Sequence, residues 1–399
     1  MLVPLDLDEL HIVSQEWLAN GTIRVEVMTP TTQAPCPHCQ KGCVKIHDTR
    51  PRKKRDISLR GHQVELILLK RRFRCLRCRK SFTEQDKACG WRRKTTVRLR
   101  EEIGKQACTQ PVAHGASAAG VGPRFVEECF QTVSLQGLER KGLSMDEHQP
   151  LHTPSVLGID EFARRKGHRY DTILCDLEAR QVLEVSAGRK QEEVVALLER
   201  LSDPEAVQAV SMDMSASYRP AVQLCLPKAH IVADHFHVIA HVMKGFKKVL
   251  QRWAHKKEGK PLLEGKQSLF LRAQEDLTED QAHERTHIGE QLPFLEMAWL
   301  LKEELRAWYA TSTVTTAPKD LDTWIENVQR QGPDPLRKTL SAFKNWRQEI
   351  LAFFQFLPTR ISNGFVEGKN NRTKALMRQG YGYRNRQHLR LRILLEHGA

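Results

Sequence analysis

The rhythm of apolar and polar positions changes several times along the chain. Up to about residue 90, short apolar runs alternate with charge, as in VELILL (Val64 to Leu69) and KRRFRC, and these read as strands set around paired cysteines. From 91 to about 150 the spacing is helical with glycine breaks. Val97, Ile103 and Ala107 share one side of a first helix, and ASAAGVGPRFVEECFQ supplies small residues, a turn at Gly120 and a following helix. This is the pattern of a helix-turn-helix carrying Arg124 toward a major groove. A polar, proline-containing stretch, DEHQPLHTPS, closes the segment. VLGID, YDTILCDLE and QVLEVSAG then read as three strands. After them come the helix KQEEVVALLERL, a strand ending at Asp213, a helix from Ser215 to Leu226, a strand ending at Asp234, and another helix. That order predicts an α/β layer architecture.

Strand signals stop near Lys244. Leu301, Leu305 and Trp308, then Phe343, Trp346, Ile350 and Leu357, recur with helical period until Pro358, predicting an all-helical insertion whose tryptophans are core. A last helix, SNGFVEGKNNRTKALMR, precedes a Gly-Tyr turn and a basic tail. Five stretches follow: 1–90 around the cysteines, 91–150 with the helix-turn-helix and linker, 151–243 as the first part of an α/β core, 244–357 as the insertion, and 358–399 as the last helix and tail.

Composition narrows the function. With 40% hydrophobic and 28% charged residues, the 399-residue chain is globular and not disordered. No apolar run approaches the roughly 20 residues of a membrane span, and the opening MLVPLDLDEL lacks a secretory pattern. A soluble, reducing, cytoplasmic setting is expected. Net charge is +15, and it is concentrated. Between Arg50 and Lys80 there are 13 Lys or Arg against Asp56 and Glu65, a net of +11; between Arg360 and Ala399 the net is +7. Such clustering suits a polyanion, whose counterions are released on binding. The candidate DNA contacts are Arg52, Lys53, Lys54, Arg55, Arg71, Arg72, Arg74, Arg124, Lys374 and Arg378.

Two constellations carry chemistry. Cys36-x-x-Cys39 and Cys75-x-x-Cys78 are paired knuckles that would close a tetrahedral, structural Zn²⁺ site without needing the nearby His38, Cys43 or His47. Asp160 and Asp213 end the first and fourth strands of the α/β region. If those strands are parallel neighbours, the two carboxylates could share hard divalent ions of the kind that drive in-line phosphoryl displacement. Glu367 on the last helix shares a face with Lys374, with Asn363, Asn370 and Asn371 alongside, and is the candidate third ligand. Glu161 should point away from Asp160. Asp234, His237 and His241 could bind a transition metal from one helical face, but polar packing beside the active site is the favoured reading.

The order CPHC, RRFRCLRC, LGIDEFARRKG, VSMDMSASYRPAV, PKAHIVADHFHVI and SNGFVEGKNNRTKALMRQGYGYRN is similar to the ISL-type (ISL-three) family of bacterial insertion-sequence transposases of the DDE class, over nearly the whole chain. The resemblance implies an RNase H-like core interrupted by a helical insertion, preceded by a zinc ribbon and a helix-turn-helix. It also implies an acidic triad on Asp160, Asp213 and Glu367. The expected activity is Mg²⁺- or Mn²⁺-dependent cleavage at terminal inverted repeats: water frees a 3′-OH, which then attacks target DNA. A homodimer or larger assembly on the nucleoid is expected. The competing readings are a catalytically silent zinc-ribbon and helix-turn-helix repressor and a structure-specific nuclease.

Overall fold

A computed structural model describes residues 6–397 except 8, 91, 92, 166, 358, 381, 382 and 384. The chain forms two compact units, Met1–Gly142 with Gln379–Tyr381, and Leu143–Arg378 with Gly382–Ala399. No helix among the described residues is long and apolar enough to cross a membrane.

In the first unit, β1 (His11–Trp17) and β2 (Ile23–Met28) lead to a two-stranded knuckle, β3 (Ala34–Pro35) and β4 (Gly42–Cys43). A long hairpin follows, β5 (Ile46–Leu59) and β6 (His62–Arg74), with β7 (Ser81–Thr83) added to β6. The hairpin turns at Arg60 and Gly61, both at positive φ (51° and 85°), the conformation that matches strand twist. Strand alternation sends Val64, Leu66 and Leu68 of β6 and Ile23, Val25 and Val27 of β2 into one core. Three helices complete the unit, α1 (Val97–Thr109), α2 (Val112–Ala119) and α3 (Pro123–Arg140). Thr96 caps α1 through the Leu99 N–H and also donates to the buried Asp56 of β5, which receives Arg98 as well. Gly104 lets α1 meet α3: a Cβ there would lie 2.5 Å from Val133 Cγ2.

The second unit is built on β8 (Val156–Arg165), β9 (Arg169–Asp176), β10 (Gln181–Ala187), β11 (Ala209–Met212) and β12 (His230–Ala233), in spatial order β10-β9-β8-β11-β12. The first three strands form an antiparallel meander, while β11 pairs in parallel with both β8 and β12. Parallel pairing needs crossovers, and α4 (Gln191–Leu198) and α5 (Tyr218–Cys225) supply them. Beyond β12 the described residues hold helices and turns only. These are α6 (His235–Ala254), α7 (Lys260–Leu263), α8 (Gln267–Leu271), α9 (Glu279–Gln291), α10 (Pro293–Thr311), α11 (Ala317–Gln331), α12 (Asp334–Arg337), α13 (Leu340–Asn345), α14 (Arg347–Ala352), α15 (Gly364–Gln379) and α16 (Arg386–His397). The helical stretch shares one continuous apolar core with the sheet, from Leu157 and Val210 through Phe246 to Trp299, Trp308, Trp324 and Trp346. Pro358 and part of the Gly-Tyr turn lie outside the described residues.

The basic tail departs from expectation. It is a helix, α16, that packs on β10, and its arginines point inward. Arg390 is 1% exposed and grips the buried Glu184 of β10 with two bonds of 2.6 Å, while Arg200 adds a third at 2.6 Å. Arg386 reaches Glu147 and the Val185 carbonyl. The apolar residues Leu389, Ile393 and Leu394 are buried, and that packing draws the intervening Arg390 to Glu184 on the sheet. Glu184→Ala, which strands two guanidinium groups, is expected to destabilise this unit by about 3–5 kcal/mol in urea unfolding.

Candidate active site and metal centre

Each cysteine knuckle is a tight turn. The Cys36 N–H donates to the Lys41 carbonyl at 2.9 Å and the Cys75 N–H to the Lys80 carbonyl at 2.9 Å; Gln40 and Arg79, one residue past each second cysteine, both take positive φ (58° and 57°). The turns face one another so that Cys36 Sγ lies 3.6 Å from Cys78 Sγ and Cys39 Sγ 3.5 Å from Cys75 Sγ. A tetrahedral Zn²⁺ with Zn–S bonds of about 2.3 Å has S···S edges of about 3.8 Å, so the four thiols fit that ion. The backbone N–H of Cys78, and then that of Arg77, lowers the Cys75 thiol to about 6 against its burial, favouring the thiolate a metal needs. Cys43 is buried nearby but donates to the Lys41 carbonyl. Among the described residues the group contains neither it nor His38 or His47. Cys78→Ser is expected to cut bound zinc from about one per chain toward none by atomic emission, and to expose Cys36 and Cys75 to thiol reagents.

The acidic centre sits where β11 ends beside β8, which itself continues to Arg165, so Asp160 lies within its strand and not at the end that the sequence suggested. Ile159 of β8 is in register with Met212 of β11, so Asp160 and Asp213 are the next residues out. Asp160 is 8% exposed. Its Oδ1 accepts the Glu161 N–H and its Oδ2 accepts Asn370 Nδ2, both at 2.7 Å. Burial first, and the Asp213 charge second, push its carboxyl up to about 7. Asp213 is half-buried. His237 Nδ1 stands 2.7 Å from its Oδ1 but directs its hydrogen bond to Asp234 Oδ2 at 2.9 Å, leaving Asp213 Oδ1 without one among the described residues. Asp213 and then Asp234 raise the His237 imidazole to about 10, so it is cationic at neutral pH.

Asp213, Asp234 and His237 hold their ligand atoms within 4.8 Å of one another. The approach to Asp213 makes this a group that could hold a metal ion as well as a polar contact beside Asp213, with Asp213 in the place that the sequence reading gave to His241. His241 stays out of it, with Nε2 buried and unpaired among the described residues. Glu367 lies on α15 with its side chain exposed and joins neither candidate metal group among the described residues. Glu161 turns away to Arg189, 2.5 Å distant, as strand alternation requires.

The basic residues divide. Arg52, Lys53 and Arg74 are exposed, Arg72 is half-buried, and Arg124, Lys374 and Arg378 are exposed, the Arg124 side chain at 94%. Arg52 and Arg72 line one groove with Arg50 and Phe82. Three candidates are corrected. Arg71 is buried against Glu84 and the Thr31 carbonyl, Lys54 is buried on the Arg93 carbonyl, and Arg55 is spent on the Ala119 and Gly120 carbonyls at the end of α2. The inward face of a strand in a charged stretch receives cations as well as apolar residues. A cation there must pair within the fold.

A family profile described as a transposase of ISL3 type, DDE class, matches residues 157–393. The chain belongs to the ISL3 transposase family. A second profile, the zinc-finger of transposase IS204/IS1001/IS1096/IS1165, matches residues 32–78 and takes in both knuckles. The transposase for insertion sequence element IS1001 of Bordetella parapertussis is 28% identical over 400 residues, covering 94% of this chain and 95% of that protein. The transposase for IS1557 of Mycobacterium tuberculosis is 26% identical over 260 residues, 58% of each chain. The protein is thus an insertion-sequence transposase with a zinc finger, and the family implies a divalent metal.

The donor set of this ISL3 transposase fits such an ion. It consists of the hard carboxylate oxygens of Asp213 and Asp234, one of them buried without a hydrogen bond, while Asp160, like Glu367, lies outside the group whose ligand atoms are within 4.8 Å of one another among the described residues. Asp160 supports the fold only while protonated, so that support is lost as pH rises through about 7. Without divalent metal at pH 8, Asp160→Asn is expected to raise stability by roughly 1–3 kcal/mol, the gain shrinking at pH 5, as measured by urea titration at both pH values.

Proposed function

We propose that this ISL3 transposase binds the terminal inverted repeats of its element and cleaves and joins DNA strands at a divalent-metal site held by Asp160, Asp213 and Glu367. The adjacency of Asp160 and Asp213 across β8 and β11 carries the reading. Glu367 is drawn into it by its helix, whose Asn370 bonds Asp160. The strand order, an antiparallel meander followed by two parallel strands, supports an RNase H-like core.

Bound Mg²⁺ or Mn²⁺ would supply Lewis-acid stabilisation of the attacking and leaving oxygens in an in-line displacement. The chain's own part is to fix two buried-edge carboxylates in place. His237, cationic and bridging Asp213 to Asp234, keeps Asp213 oriented. Lys374 and Arg378, exposed on α15, are suited to the flanking phosphates. Sequence would be read elsewhere. The pair α2–α3, turning at Gly120 (φ 58°) and starting α3 with Pro123 and the exposed Arg124, supports a helix-turn-helix, and the Arg50, Arg52 and Arg72 groove beside the zinc knuckles suits a phosphate backbone. Two element ends must be held together, so the working form would be a dimer or larger.

On DNA carrying the element ends, Asp213→Asn and Glu367→Gln are each expected to lower cleavage at least about 10³-fold, roughly 4 kcal/mol of barrier, with end binding retained. Cleavage unchanged in both variants would remove these acids from the chemistry, and cleavage absent in the wild type with every divalent metal would instead identify a repressor that only binds.

A further inference from the structure

Glu367 is 154 positions beyond Asp213 and its carboxylate is exposed, so its own contacts do not hold it. Asn363, just before the start of α15, and Asn370, within it, do. Asn363, four residues before Glu367, is 1% exposed; its backbone N–H donates to Asp234 Oδ1 at 3.2 Å and its Nδ2 to the Ile159 carbonyl at 3.0 Å. Asn370, three residues after it, is 3% exposed; its Nδ2 donates to Asp160 Oδ2 at 2.7 Å and lies 3.4 Å from the Glu161 carbonyl. The two side-chain amides therefore fasten the helix to three consecutive residues of β8, on either side of Glu367. The approach is close. A Cβ on Gly158 would lie 2.6 Å from Val366 Cγ2 and 3.0 Å from Asn363 Oδ1, so only glycine admits the helix there.

We propose that Asn363 and Asn370 are positioning residues that clamp α15 onto β8 and thereby set where the Glu367 carboxylate stands relative to Asp160. The inference rests on the reading of these acids as metal ligands. An amide suits the task because it donates to a carboxyl oxygen without adding charge. A Lys or Arg at position 370 would neutralise Asp160 and compete with the cation. Asp160 Oδ1 is already engaged by the Glu161 N–H, so the Asn370 bond fixes the second oxygen and with it the carboxylate plane.

The test compares the full-length wild type with Asn370→Ala and Asn370→Leu, the latter filling the amide's space without a donor, by hydrogen–deuterium exchange and by Mn²⁺ calorimetry without DNA. The expected result in both variants is exchange of the α15 amides at least about tenfold faster, with β8 to β10 unchanged, and Mn²⁺ affinity lower by about 10–100-fold. α15 protection and Mn²⁺ affinity within twofold of wild type in the Leu variant would overturn the clamp, even if the Ala variant proves unstable. Asp160→Asn and Glu367→Gln in the same titration separate the two ideas. If they leave Mn²⁺ binding untouched while Asn370→Leu loosens α15, the metal reading fails and the clamp remains as a mechanical tie.

Discussion

Two carboxylates are held next to one another on neighbouring parallel strands, one of them buried, and the groups around them answer that burial and charge. The pairing of β8 with β11 is fixed by apolar side chains such as Ile159 and Met212, which have no other place to go. Once they are in register, Asp160 and Asp213 are brought together whatever the electrostatic cost. The surrounding groups moderate the cost without cancelling it. His237 lends a positive charge to Asp213 and Asp234, a backbone N–H and an amide steady Asp160, and its burial, with the Asp213 charge second, leaves a carboxyl that holds its proton to about neutrality. A doubly charged ion is the natural partner for such an arrangement.

Much of this was legible in the chain. The passage from strands to helices after Asp234 and the two cysteine turns rest on local periodicity and spacing, which sequence carries directly; residue 244, where strand signals were expected to stop, falls inside α6. Asp213 just past the end of β11 was legible for the same reason, because the apolar run stops there; Asp160 was expected to end its strand too, but β8 runs on to Arg165 in its pairing with β9, so Asp160 lies buried in mid-strand where only the parallel pairing with β11 stops. Glu161 facing away followed from the two-residue repeat of a strand.

What escaped was the partner of each charge. Arg71, Lys54 and Arg390 look like members of basic clusters, yet each is buried against a carboxylate or a carbonyl supplied from far along the chain or from the next strand. Linear charge counting sees only the density of cations and not which side of a strand or helix they occupy. Likewise Asp234 and His237 were visible as a local pair, but the approach of His237 to Asp213, 24 positions upstream, depends on β11 and β12 lying side by side.

The grip of α16 on Glu184 closes a very long loop. One of the two guanidinium groups that meet that carboxylate, on Arg200, is 16 positions away, and the other, on Arg390, is 206 positions away. The nearby pair can form early, whereas β10 receives its second cation only after the intervening helical stretch has folded and carried α16 back to the sheet. Until then the edge strand bears a half-neutralised acid, so completing this sheet is a late, non-local step in the folding of the unit.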